Sequence, residues 1–165
     1  MNYEIRPMRP EDGASVLEIF QQGIDGGNAT FDDHVPVWEA WDTDHFKMSR
    51  FVLEDENDRV VGWCALKPVS NRDCFKGVAE VSIYLDHAFQ GKGLGSMLLK
   101  KLILDSEDHG FWTLQSGIFP ENESSIAVQQ KQGFRIVGIR EKIGKMNGVW
   151  RDIVFMERRS RLVGV

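Results

Sequence analysis

A chain of 165 residues suits one domain spanning residues 1–165, and 42% apolar with 27% charged side chains is the make-up of a soluble globular protein, with no window near the ~20 apolar residues that cross a bilayer. A net charge of −5 argues against a protein whose main work is gripping nucleic acid, where a basic surface supplies most of the nonspecific affinity. The opening Met1-Asn2-Tyr3-Glu4-Ile5-Arg6 lacks the basic start and apolar stretch of a secretory signal, and Cys64 and Cys74 form no C-x-x-C pair or zinc spacing, so a cytoplasmic protein with reduced thiols, no metal and no membrane contact is expected.

Ile5 opens a short strand. After Pro10, Val16, Ile19, Phe20 and Ile24 recur at helical spacing and predict an amphipathic first helix, ended by the turn Gly26-Gly27-Asn28. Pro36 starts a second periodic stretch through Trp38, Trp41, His45 and Phe46. Two β-type runs, Arg50 to Glu54 and Arg59 to Leu66, flank the polar Asp55-Glu56-Asn57-Asp58 and read as a hairpin. From Val78 to Leu85 the pattern alternates: Ala79, Val81, Ile83 and Leu85 lie on a face expected to pack, and Glu80, Ser82 and Tyr84 on a polar one.

The loop Asp86 to Gly95 leads into a helix from about Leu94 to His109, where Leu94, Leu98 and Leu102 form a stripe that Leu99 and Ile103 broaden and Gly110 terminates. A strand near Trp112 to Ser116 follows, then Pro120, a short helix that Asn122 caps, running through Gln132, and Gly133 as its stop. Strands Arg135 to Arg140 and Val149 to Glu157 complete the order β α α β β β α β α β β. That is an α/β (α+β) chain without an internal repeat.

Glycines at 91, 93 and 95 let the loop Gln90-Gly91-Lys92-Gly93-Leu94-Gly95 turn tightly and let a ligand reach its N–H groups with no Cβ in the way. A helix beginning at about Leu94 points its free N–H groups and positive dipole end at the loop, and Lys92 adds a charge. A phosphate or pyrophosphate is the natural occupant, with a purely structural turn as the alternative. The pattern is no Walker loop, since Gly93 follows Lys92 where a Ser or Thr belongs, and no dinucleotide fingerprint, since the third glycine comes one residue early.

The loop resembles the Q/R-x-x-G-x-G/A signature of the GNAT superfamily of N-acetyltransferases, and the element order resembles that fold across nearly the whole chain. Within the superfamily the chain is similar to the phosphinothricin and methionine sulfoximine acetyltransferase group, on Asn28-Ala29-Thr30-Phe31, Ala79-Glu80, the stretch Pro120 to Ser125, and Gly148-Val149-Trp150-Arg151-Asp152. The resemblance implies a mixed, mostly antiparallel sheet with a splayed cofactor-binding strand, and direct transfer from acetyl-CoA to the amine of an amino acid or analogue. It assigns acetyl-CoA to Gln90, Gly91, Lys92, Gly93, Leu94, Gly95 and Ser96, to the strand end Ile83, Tyr84 and Leu85, and to Asn122 and Ser125. Capping a helix explains Asn122 equally well.

An amine at neutral pH is mostly protonated, so transfer needs a base, and no G-x-S-x-G elbow or Cys/His pairing offers an acyl-enzyme route. Glu80 is the candidate: it sits mid-strand and matches the group's glutamate base. A strand glutamate paired to a nearby Lys or Arg is the alternative reading. The resemblance places Phe31, Arg72 and Phe75 around the acceptor, where a guanidinium suits a carboxylate or phosphinate. An ordinary surface arginine explains Arg72 as well.

Three departures bear on the acceptor. Ser70 replaces a lysine of some relatives, Phe75 lacks a tyrosine hydroxyl, and Gln129 stands where close relatives carry a histidine, which glutamine cannot replace as a titrating group. The resemblance further implies a homodimer, with Trp38, Trp41 and residues 141–149 as contacts, although core packing explains the tryptophans too. His34, His45, His87 and His109 read as surface or local packing. Competing functions are a protein or peptide N-acetyltransferase with an open groove, and a GNAT module that binds acyl-CoA without transfer.

Overall fold

A computed structural model describes residues 1–165. The elements are β1 (Glu4–Pro7), α1 (Gly13–Gly26), α2 (Trp38–Asp44), β2 (Phe51–Glu54), β3 (Val60–Pro68), β4 (Val78–Leu85), α3 (Leu94–Asp108), β5 (Thr113–Ile118), α4 (Glu123–Lys131), β6 (Arg135–Met146) and β7 (Val149–Arg159). This is the order read from the sequence. The strands form one sheet, β1-β2-β3-β4-β5-β7-β6, in which only β4 and β5 run parallel.

Each face of the sheet carries helices because the strands alternate apolar side chains to both sides. On one face α3 buries Leu94, Leu98, Leu99, Leu102 and Ile103 against Leu53, Cys64, Leu66, Ala79 and Val81. On the other, α1 buries Val16, Ile19 and Phe20, and α2 buries Trp41, against Val52, Trp63 and Ala65. Tyr84 joins this second cluster, stacking on Trp63 at 4.9 Å and meeting Phe20 at 5.1 Å. The face of β4 expected to be polar is therefore polar at Glu80 and Ser82 and packed at Tyr84. Gly23 of α1 permits that contact, since a Cβ there would sit 2.6 Å from the phenol ring.

Two expectations need correction. Strand β6 continues to Met146, beyond Arg140, and β7 to Arg159: a register irregularity between Arg140 and Gly144 breaks the alternation, and the strands rejoin through a turn at Asn147-Gly148, both at positive φ. Trp41 is only 1% exposed and stacks on Trp38 and on His45, so it is core and not a contact surface. No helix is long and apolar enough to cross a membrane.

The feature that positions the site is a gap in the sheet. β4 and β5 pair only at Val78–Thr113, Ala79–Leu114 and Glu80–Gln115, while β4 stays paired with β3 to Leu85 and β5 with β7 to Ile118. From Val81 and Ser116 onward the two strands have no pairing with each other. Alternate backbone N–H and C=O groups of Val81–Leu85 point into the space between them.

Candidate active site

The gap opens into a cleft of about 1120 Å³ that runs from the glycine loop, past the ends of β4 and β5, to the loop after α1. At its first end, Gly91 and Gly93 adopt φ of 75° and 77°, and a Cβ on either would meet nothing within 4 Å. The left-handed conformation, and not crowding, is what asks for glycine. Gly93 caps α3 without a side-chain hydrogen bond. The amides of Gln90, Gly91, Lys92, Gly93, Leu94, Gly95 and Ser96 donate to no acceptor in the protein; the first amide of the run to do so is Met97, to the Gly93 carbonyl.

These orphan donors at a helix N-terminus, beside an unpaired strand edge, fit a phosphorylated thioester such as acetyl-CoA. Gln90, Gly91, Gly93, Leu94, Gly95 and Ser96 line the cleft, as do Ile83, Tyr84 and Leu85. The side chains of Ile83 and Leu85 pack into the α3-side core, leaving only their backbone to the gap. Lys92 departs from expectation: it is not part of the cleft wall, and its ammonium sits 5.3 Å over the Phe89 ring. Asn122 caps α4, accepting from the Ser125 amide at 3.4 Å, and both residues also line the cleft.

Glu80 stands where β4 and β5 part. Its carboxylate has no hydrogen-bond or ion-pair partner in the chain and reaches solvent through the cleft. Burial by the surrounding protein pushes its pKa above the ordinary 4.5, the positive charge of Lys67 opposes that rise, and Asp32 adds to it. Lys67, its partner across the β3–β4 pair, acts on it through charge and makes no ion pair with it.

The loop after α1 forms the opposite wall. Phe31 lies edge-on to Phe119 at 4.8 Å and covers Gly144, where a Cβ would sit 2.7 Å from its ring. Arg151 of β7 ties this loop down, donating to the Gly27 carbonyl at 3.1 Å, to Asn28 Oδ1 at 2.8 Å and to Glu121 at 3.2 Å, with its guanidinium 4.0 Å over Phe119. Asn122 Nδ2 adds a longer bond to the Asn28 carbonyl.

Arg72 and Phe75 are not brought into this cleft. Arg72 lies over the Phe75 ring at 5.3 Å, both are exposed in the β3–β4 connection, and Phe75 lines a separate shallow hollow with Ser70 and Trp112. The cation–π contact gives the guanidinium a partner within its own loop. Gln129 is buried and accepts a hydrogen bond from Ser116 Oγ, so it closes the β5 side of the cleft as a neutral group.

Of the four histidines, His34, His87 and His109 are exposed, while His45 is buried with Nδ1 2.6 Å from the Trp41 carbonyl; burial pushes its pKa down to about 4. Sequence reasoning missed Lys67, which lines the cleft beside Glu80, and the tether at Arg151. The only signal for Lys67 was its two-residue spacing from Ala65 and Trp63. Cys64 is buried and Cys74 exposed, both free, and no three His, Cys, Asp or Glu residues are grouped to hold a metal ion.

A sheet split beside a helix whose capping loop offers free amides, with an unpaired carboxylate at the split, defines an acyltransferase that takes a phosphorylated thioester. The chain belongs to the acetyltransferase (GNAT) family, whose model matches residues 16–134. It is similar to the L-methionine sulfoximine/L-methionine sulfone acetyltransferase of Salmonella typhimurium, 29% identical over 150 residues and 88% of each chain. It is also similar to the L-amino acid N-acyltransferase MnaT of Escherichia coli, 28% identical over 93% of this chain and 91% of the relative.

Among solved structures, a GNAT superfamily phosphinothricin acetyltransferase from Sinorhizobium meliloti in complex with AcCoA superposes with a TM-score of 0.87 at 28% identity, covering 96% of this chain and 89% of that one. The protein is thus an acetyl-CoA-dependent N-acetyltransferase, with acetyl-CoA as co-substrate.

Proposed function

We propose that the acceptor is the α-amino group of an amino acid or analogue, of the kind that phosphinothricin and methionine sulfoximine or sulfone represent, and that Glu80 is the base. The observation that carries this reading is the place of Glu80: an unpaired carboxylate where β4 and β5 part, in one cleft with the acceptor-free amides of Gln90–Ser96. Bound acetyl-CoA supplies an activated acyl thioester. The amides from Gln90 to Ser96 would hold its pyrophosphate, the open edge Ile83–Leu85 its pantetheine arm, and Asn122 and Ser125 would add contacts from α4.

The remaining chemistry is that of the chain's own groups. Glu80 takes the ammonium proton, directly or through water, and so presents a neutral amine to the gap; base catalysis of this type contributes about 10²- to 10⁴-fold. Its raised pKa brings it nearer the working pH, as a base requires. Phe31 and Phe119 form an apolar wall for the acceptor side chain. Arg72 and Phe75 would reach the acceptor only if the β3–β4 connection moved.

Residues 1–165 are taken as a single acetyltransferase domain, working in the cytoplasm as a homodimer. The dimer proposal draws support from the edge strand β6, which exposes Ile136, Val137, Ile139 and Ile143, and from the neighbouring Val149 and Trp150. The function is tested by thiol release from acetyl-CoA across methionine sulfoximine, methionine sulfone, phosphinothricin, ordinary amino acids and N-terminal peptides. Turnover led by free amino acids is expected. Turnover with peptides alone would reassign the acceptor, and none at all despite tight acetyl-CoA binding would leave a non-transferring module.

A further inference from the structure

The acceptor half of the cleft contains a cation without a partner. Lys67 is the Cα partner of Glu80 across the β3–β4 pair, so the two side chains leave the same face of the sheet. On that face Trp63 and Ala65 precede it and are buried, which makes Lys67 the first charged group beyond an apolar floor. Its ammonium forms no ion pair and no hydrogen bond. It faces the cleft, close enough for its charge to be felt by both Glu80 and His45.

We propose that Lys67 binds the carboxylate of the acceptor, so that the cross-strand pair Glu80 and Lys67 reads the two charged groups of an α-amino acid, ammonium and carboxylate respectively. This rests on the acceptor reading above and names the group that makes it selective. An α-amino acid bears both charges on one carbon, so their recognisers must stand close together. Side chains directly opposite on an antiparallel pair start about 5 Å apart at Cβ, which suits that demand.

The other cations do not meet it. Arg72 is stacked on Phe75 outside the cleft. Arg140 lines the cleft, but β6 is separated from β4 by β5 and β7. His45 stays neutral because it is buried against Trp41 with Lys67 and Arg50 nearby, so it does not compete for the anion. Asp32, which also acts on Glu80, would repel a carboxylate on its own side and leaves the Lys67 side as the seat.

The test is calorimetric binding of methionine sulfone and of its carboxamide to the CoA-saturated protein at about pH 6.5, below the ordinary range of an α-amino group. The wild type is expected to prefer the acid by about tenfold or more, as a charge-assisted bond would give. Lys67→Met should erase the preference, Lys67→Arg retain part of it, and Arg72→Ala leave it intact, with CoA affinity and thermal midpoint confirming that each variant folds.

Equal binding of acid and amide by the wild type, binding of neither, or an unchanged preference in Lys67→Met overturns the assignment. A preference lost in Arg72→Ala and kept in Lys67→Met would give the role to Arg72 instead. If the wild type keeps the Lys67-dependent preference yet transfers no acetyl group, the transfer reading falls and the carboxylate assignment stands.

Discussion

Glu80 and Gln115 are the last residues that β4 and β5 pair, and the cleft begins where that pairing stops. The candidate base therefore sits at the closed end of the gap, with Val81–Leu85 running away from it toward the glycine loop. One strand thus brings a carboxylate and an open backbone edge into the same cleft.

The pH dependence follows from what surrounds Glu80. Burial raises its pKa, Lys67 lowers it and Asp32 raises it. Activity needs the ionised form, so kcat/KM should fall as pH drops through a value above the ordinary 4.5. Asp32→Asn should move that limb to lower pH and Lys67→Met to higher pH. Because the raised pKa means that the ionised carboxylate is disfavoured in the folded state, stability gains as pH falls through it, and Glu80→Gln should be no less stable than wild type near neutrality. Kinetic pH profiles and thermal melts check both.

Gly93 is held at φ 77° with open space above it. An alanine there meets no clash but must adopt the left-handed conformation, at about 1–2 kcal/mol. Gly93→Ala should raise the KM for acetyl-CoA by about 5- to 30-fold with little change in the KM of the acceptor, read from initial rates varied in each substrate.

Arg151 should act on the other substrate. Its bonds to Gly27, Asn28 and Glu121 hold the loop that carries Phe31. Arg151→Ala is expected to raise the acceptor KM by about tenfold while the affinity for acetyl-CoA stays close to wild type. A parallel loss in both would mean that Arg151 supports the fold as a whole.

Far from the cleft, Arg6 bonds both oxygens of the buried Asp12 at 2.8 Å and also pairs with Glu54. Burial works to raise the Asp12 pKa, but Arg6 and the Arg9 amide outweigh it and hold the group below 3.8. Its contribution is present above the unfolded pKa and lost as pH falls from there toward the folded one, in the window below about pH 4. Asp12→Ala leaves Arg6 still paired with Glu54 and should cost about 1.5–3 kcal/mol in chemical denaturation at neutral pH, without changing KM for either substrate.

The order of elements and the glycine loop were legible because they are written in local signals: periods of two and near four, a turn at Gly26-Gly27, a cap at Asn122. The gap itself was not, since Gln115 and Glu80 meet only through pairing across 35 residues of chain. The same holds for Lys67, whose place beside Glu80 depends on the register of β3 against β4. The place of Arg72 outside the cleft was hidden for a related reason: a resemblance fixes a position in the β3–β4 connection but not the direction of a side chain that finds Phe75 in its own loop. In β6 the Asn147-Gly148 turn signal was present, but the irregularity after Arg140 interrupted the alternation that would have led to it.

Whether Glu80 takes the proton from an amine bound beside acetyl-CoA is decided by thiol release from wild type and Glu80→Gln at saturating acetyl-CoA near pH 7, with the dissociation constant of acetyl-CoA measured for both. A kcat lower by about 10²- to 10⁴-fold in the variant, with acetyl-CoA affinity unchanged, is expected. An unchanged kcat would contradict it and remove Glu80 from the chemistry.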